Sequence, residues 1–194
     1  THEDTAPVDV ERLLQNADLA LRQAKNQERG SVCVFEPIMS ETARERLTLE
    51  RELTAALAKN QLQVHYQPLV ESGSGRIIGV EALARWQHPE RGGVPPSTFI
   101  PLAEEIGLIV PLGAWVLRQA CQDTVSWPGH LTVAVNASVV QVRQKSFADM
   151  VLAILAETGL APSRLEIEIT ESSLLEESET TMQNLHRLQE VGVR

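Results

Sequence analysis

The sequence predicts an α/β fold, a parallel sheet or (β/α) barrel entered through one antiparallel strand. Three observations carry this. After Asn60, segments of strand character alternate with segments of helical spacing as far as Arg194. The first two strand segments are separated only by a glycine-rich turn, the mark of a hairpin and so of an antiparallel pair. Charged and amide residues also interrupt three strands that burial on both faces would otherwise fill with Val, Ile and Leu.

Taken in order, Val8 to Gln27 places apolar residues at helical spacing (Val10, Leu13, Leu14, Ala17, Leu21, Ala24), with Gly30 as the stop. Ser31 to Glu36 alternates weakly and reads as a short strand ending at Pro37, one that needs a partner sheet. Met39 to Lys59 carries Glu41, Arg44, Glu45, Arg46, Glu50, Arg51 and Glu52 on a helical pattern, as expected of a solvated connector. A domain boundary therefore falls near Pro37. Leu62 to Val70, the turn Glu71-Ser-Gly-Ser-Gly75 and Arg76 to Trp86 form the hairpin. Helices follow from Pro96 to about Gly107 and from Pro111 to Val125, the second stopped by Trp127-Pro128-Gly129. Leu131 to Ala137 reads as a strand, Gln141 to Thr158 as one helix closed by Gly159, Arg164 to Thr170 as a strand and Glu176 to Val191 as a helix.

Bulk properties narrow the function. A formal net charge of -9 argues against a DNA or RNA polymer as partner, because that grip needs clustered Lys and Arg. A small anion held by a few residues or a metal is compatible with it. Cys33 and Cys121 are far apart and lack any CxxC or Cys/His spacing, so neither a disulfide framework nor a zinc site is signalled, and a reducing cytoplasm fits best. No apolar run reaches membrane-spanning length, so this segment makes no direct membrane contact, although a parent protein anchored elsewhere is compatible. The opening Thr1 and the closing Val191-Gly-Val-Arg194, a glycine turn of the kind that leads into another strand, read as cut ends.

The interrupted strands carry the chemistry. Strand period two puts Glu81, Leu83 and Arg85 on one face, Thr132, Ala134 and Asn136 on one face, and Glu166, Glu168 and Thr170 opposite the Leu165, Ile167 and Ile169 stripe. In an α/β barrel the site gathers at the carboxyl ends of the strands, where Glu81, Asn136 and Glu168 would converge. Carboxylate and amide oxygens suit a hard cation, Mg²⁺ or Mn²⁺. Such an ion binds phosphate oxygens and activates water, and Arg85 would hold a second phosphate oxygen, which is the equipment of phosphodiester hydrolysis. The plainer alternative is a Glu81–Arg85 ion pair. His65, His88, His130 and His186 show no ligand spacing and read as surface or turn residues. Gly73 and Gly75 belong to a flexible hairpin loop, not a phosphate cradle. Trp86, Trp115 and Trp127 read as core or interface aromatics.

Five runs in order, Val64-His-Tyr-Gln-Pro-Leu-Val70, Gly79-Val-Glu-Ala-Leu-Ala-Arg-Trp86, Phe99-Ile-Pro-Leu-Ala-Glu-Glu-Ile-Gly107, Val135-Asn-Ala-Ser138 and Glu168-Ile-Thr-Glu-Ser172, resemble EAL-domain cyclic-di-GMP phosphodiesterases. The resemblance covers about Leu47 to Arg194. It implies a (β/α)8 TIM-like barrel with an antiparallel strand and hydrolysis of cyclic-di-GMP to linear pGpG with Mg²⁺ or Mn²⁺. It further implies Glu81, Asn136 and Glu168 as metal ligands, Glu171 as a glutamate that steadies an active-site loop, and Gln67, Leu83 and Arg85 as contacts to the dinucleotide.

Leu14 to Lys25, with Val34-Phe35, is similar to the closing helix and strand of a GGDEF domain. Arg22 stands where that family usually has an aromatic, Glu28-Arg-Gly30 replaces its usual turn, and the Gly-Gly-Asp/Glu-Glu-Phe motif is lacking. The expected organisation is a GGDEF remnant over 1–36, a linker helix over 37–60 and the amino-terminal half of an EAL domain over 61–194. That leaves an incomplete barrel, without the Asp-Asp-Phe-Gly-type strand, the lysine and the further glutamate that the resemblance implies beyond Arg194. The segment by itself is therefore expected to be inactive, and its open strand edges are expected to drive self-association as a homo-oligomer. Three rivals stand beside this reading: a degenerate EAL domain that only binds cyclic-di-GMP, a dimerisation or signal-transmission module working through the helix Met39 to Lys59, and a different Mg²⁺-dependent barrel enzyme.

Overall fold

The structure is a computed structural model and describes residues 9–25, 30–59, 61–169 and 179–194. The chain divides into two units, Thr1–Glu52 and Leu53–Arg194. The first contains α1 (Val10–Lys25) and most of α2 (Pro37–Ala58). Pro37 opens α2, a position where its missing N–H is no loss. Ser31 to Glu36 corrects the sequence expectation, for it forms no strand, and Val32 and Val34 are 91% and 77% exposed. A lone extended segment has no ladder to satisfy its backbone, and none of the described residues pairs with it.

The second unit begins inside α2, where Leu53 and Ala56 are fully buried, so the charged connector pattern gives way to packing there. The hairpin forms as expected from β1 (Leu62–Val70) and β2 (Ile77–His88). β1 runs antiparallel to β2, with Gln67 opposite Glu81. A short third strand, β3 (Gly92–Val94), escaped the sequence reading. It exists because the Nδ1 of His88 accepts the backbone N–H groups of Glu90 and Arg91 at 3.2 and 3.1 Å and folds the chain back on β2. His88 thus has the turn role expected of it, although it is buried.

Next come α3 (Pro96–Glu105), α4 (Ile109–Val125), β4 (Thr132–Asn136), α5 (Val139–Val142), α6 (Phe147–Thr158), β5 (Leu165–Glu168) and α7 (Glu179–Glu190). The single helix expected over Gln141 to Thr158 is two. The polar stretch Arg143 to Ser146 offers no apolar face, and the buried Asn184 amide donates to the carbonyls of Val142 and Gln144 at 2.8 and 2.9 Å, acceptors that a continuous helix would use itself. Gly159 closes α6 in the left-handed region at φ 76°, as expected.

The strands form one mixed sheet of order β1-β2-β4-β5, with β3 beside β2. β2, β4 and β5 are mutually parallel. The end of the chain continues the sheet, since Ile167 N–H donates to Arg194 O at 2.7 Å and Arg194 N–H to Leu165 O at 3.1 Å. Trp86, Phe99, Leu112, Val133, Val151, Ile154 and Leu165 fill the core between sheet and helices. β2 and β4 come close enough at Gly79 that a Cβ there would lie 2.5 Å from Thr132 Oγ1 and 2.9 Å from its carbonyl oxygen.

Candidate functional site

The parallel registers decide which polar side chains meet. Glu81 on β2 is level with Ala134 on β4, which is level with Glu166 on β5, and Asn136 at the end of β4 is level with Glu168 at the end of β5. Because side chains alternate with period two, Glu81, Asn136, Glu166 and Glu168 share one face. Asn136 and Glu168 close β4 and β5 at their carboxyl ends, with Glu81 and Glu166 one level, two residues, further back. Asn136 Nδ2 donates to Glu81 Oε1 at 2.7 Å. The backbone ties the same corner, with Ala137 N–H donating to Glu168 O at 2.8 Å.

The electrostatics are those of a crowded acidic cup. Partial burial raises the Glu168 carboxyl above the usual carboxylate range, and the charges of Glu81 and Glu166 raise it further. Glu166 is turned toward Arg194, 3.7 Å away. Arg85 does not neutralise Glu81. Its Nη1 donates to the carbonyl of Ala84 at 2.9 Å, and it forms no ion pair among the described residues. Among the described residues the guanidinium is not consumed by the plainer ion-pair alternative. Gln67 lies exposed on β1 opposite Glu81, and Leu83 is half-buried. Glu171 lies outside the described residues.

A cavity of about 460 Å³ opens beside this corner, and Leu83, Arg85, Asn136 and Glu168 line it from the sheet side. Glu104 of α3 and Ser138, two residues beyond Asn136, line it from the helix side. The sequence reading gave neither a role. Ser138-x-x-Gln141 is, however, a legible capping-box signature. Among the described residues no group of three His, Cys, Asp or Glu side chains could hold a metal ion, so the candidate donors here are the Glu81 and Glu168 carboxylates with the Asn136 amide. This donor set fits a hard divalent cation, which would relieve the repulsion that now raises Glu168.

Fold and site together define an α/β domain with an acidic, oxygen-donor centre at the carboxyl ends of its parallel strands. Residues 50–194 match the family model described as EAL domain, and the chain belongs to that family. A Caulobacter vibrioides protein known as an uncharacterized signaling protein is 49% identical over 185 residues, 95% of this chain and 23% of that protein. MucR of Pseudomonas aeruginosa, a bifunctional diguanylate cyclase/cyclic di-GMP phosphodiesterase, is 42% identical over 185 residues, 93% of this chain and 27% of MucR. The solved PaMucR phosphodiesterase in complex with c-di-GMP superposes with a TM-score of 0.72 at 39% identity, covering 75% of this chain and 61% of that one. The chain thus spans about a quarter of the length of these two curated relatives. No helix among the described residues is long and apolar enough to cross a membrane.

Proposed function

We propose that the protein containing this chain hydrolyses cyclic-di-GMP to pGpG, with Mg²⁺ or Mn²⁺ held by Glu81, Asn136 and Glu168. The observation that carries the proposal is the convergence of these three side chains from three parallel strands, joined by the 2.7 Å Asn136–Glu81 hydrogen bond, in a member of the EAL family. When bound, the cation would polarise a phosphate oxygen and supply a water of lowered pKa. The chain's own residues do the rest. Arg85 places its guanidinium on a phosphate oxygen, Leu83 presents an apolar wall to the dinucleotide, and Gln67 reaches it from the antiparallel strand opposite Glu81. Glu171, outside the described residues, keeps the role that the resemblance gives it, steadying an active-site loop.

In the same reading the described strands are the first part of a (β/α)8 barrel, 37–60 is a connecting helix, and 1–36 is the end of a GGDEF domain. MucR, matched along 93% of this chain, supports that last assignment by carrying both cyclase and phosphodiesterase functions. By itself the segment is inactive in this reading, and its open strand edges lead it to self-associate. Free Cys33 and Cys121 fit a reducing cytoplasm.

The test is product analysis on the full-length protein. Conversion of cyclic-di-GMP to pGpG that requires Mg²⁺ or Mn²⁺ supports the proposal. Tight binding without turnover assigns the protein to the receptors instead.

A further inference from the structure

Beyond the ligands themselves, we propose that Glu104 is a positioning residue that holds Asn136 in place by clamping the turn that follows it. The inference rests on the metal site proposed above. Ser138 is the hub of the clamp. Its hydroxyl donates to Glu104 Oε1 at 2.5 Å and accepts the Val140 N–H at 3.2 Å, while its backbone N–H donates to Gln141 Oε1 at 3.1 Å. Ser138 and Gln141 together form a complete capping box at the start of α5.

Each partner is itself immobilised. Gln141 is 4% exposed and lies against Gly113 of α4, where an added Cβ would overlap its amide. Glu104 is half-buried and follows the buried Ala103 on α3, a helix in contact with β2 and α4. α3 and α5 thus meet at a residue two positions beyond Asn136, while α4 backs the Gln141 side chain. Between Asn136 and Ser138, the Ala137 N–H is tied to Glu168 O at 2.8 Å. With the two residues that follow Asn136 fixed, its amide is held against Glu81. Glu104 touches no ligand atom in this scheme, so it is a positioning residue and not a catalytic one.

The experiment compares Glu104→Ala, Glu104→Gln and Ser138→Ala in the full-length protein. Mn²⁺ binding is read by isothermal titration, kcat and KM for cyclic-di-GMP by product formation, and folding by thermal melting. Glu104→Ala is expected to weaken Mn²⁺ binding about tenfold, as loss of an outer support does, and to lower kcat with little change in KM. Glu104→Gln still offers an oxygen to Ser138 and is expected to stay near wild type. Ser138→Ala is expected to match Glu104→Ala, and the double variant to be no worse than either, because the two act through one bond. Wild-type Mn²⁺ affinity in a folded Glu104→Ala protein overturns the clamp. So does a Glu104→Gln protein as weak as Glu104→Ala, which would make the charge itself the active feature. Should Glu104→Ala fail to fold, Ser138→Ala against Glu104→Gln decides the same point. A wild type that binds Mn²⁺ but turns over no cyclic-di-GMP removes the proposed function, and the binding comparison still decides the clamp. A wild type that binds no Mn²⁺ overturns both.

Discussion

Asn136 and Glu81, on neighbouring parallel strands, are joined by a 2.7 Å hydrogen bond from Nδ2 to Oε1 at the carboxyl end of the sheet. The bond is diagonal, since the residue level with Glu81 is Ala134. It aims an amide and a carboxylate at one point, and Glu168, level with Asn136, aims a second carboxylate there.

Asn136→Ala removes one donor of the proposed ligand set and the partner of Glu81. Mn²⁺ affinity in the full-length protein is expected to fall by at least the roughly 10- to 100-fold that outer partners of a metal are worth. Isothermal titration checks this, and an unchanged affinity would place the cation elsewhere.

Gly79→Ala tests the close approach of β2 and β4. The new Cβ would meet both the Thr132 hydroxyl and the Thr132 carbonyl oxygen, at 2.5 and 2.9 Å. The side chain can rotate away but the backbone cannot, so a cost of about 1–3 kcal/mol is expected. Adding Thr132→Ala should recover only part of it. Urea denaturation of both variants reads the difference, and full recovery in the double variant would show that the hydroxyl alone sets the spacing.

Glu168 gives the metal-free protein a pH dependence of definite sign. Partial burial, then Glu81 and Glu166, raise its folded pKa, so the folded chain binds this proton more tightly than the unfolded chain. The contribution to stability is fully present below the unfolded value and is lost as pH rises through the folded one. Measured in a chelating buffer, the melting temperature of wild type should therefore drop relative to Glu168→Gln as pH rises from acid to neutral. Parallel profiles for the two proteins would count against a crowded Glu168.

Arg164 joins the end of α4 to the start of β4 from its place just before β5. Its Nε donates to Leu131 O at 2.9 Å, and its Nη2 to Thr124 O at 2.9 Å and Pro128 O at 3.2 Å. Arg164→Ala is expected to cost about 2–3 kcal/mol, the scale of hydrogen bonds from a charged group. Arg164→Lys should recover only part, because a point charge cannot span several carbonyls as the planar fork does. Denaturation midpoints of the two variants provide the check.

How much of this was legible in the sequence depends on the range of the interactions involved. The hairpin and the shared face of Glu81, Asn136 and Glu168 follow from period two and from parallel strands whose registers happen to be in phase. Their local patterns are enough. Ser31 to Glu36 has the local pattern too but no partner ladder, and propensity alone does not make a strand. β3 is Gly-Gly-Val and carries no strand signal; the His88 ring makes its turn. The break between α5 and α6 is fixed by Asn184, far along the chain. The Glu104–Ser138 bond is likewise long-range, so only its capping-box half could be read in advance.

The proposed hydrolysis depends on a metal held through Glu81. The measurement that tests it most directly is conversion of cyclic-di-GMP to pGpG by the full-length protein, stripped of metal and then given Mn²⁺, with Glu81→Gln alongside. Activity is expected to return with Mn²⁺ in the wild type and to stay absent in a folded Glu81→Gln protein. Metal-independent turnover, or a Glu81→Gln variant as active as wild type, would contradict it.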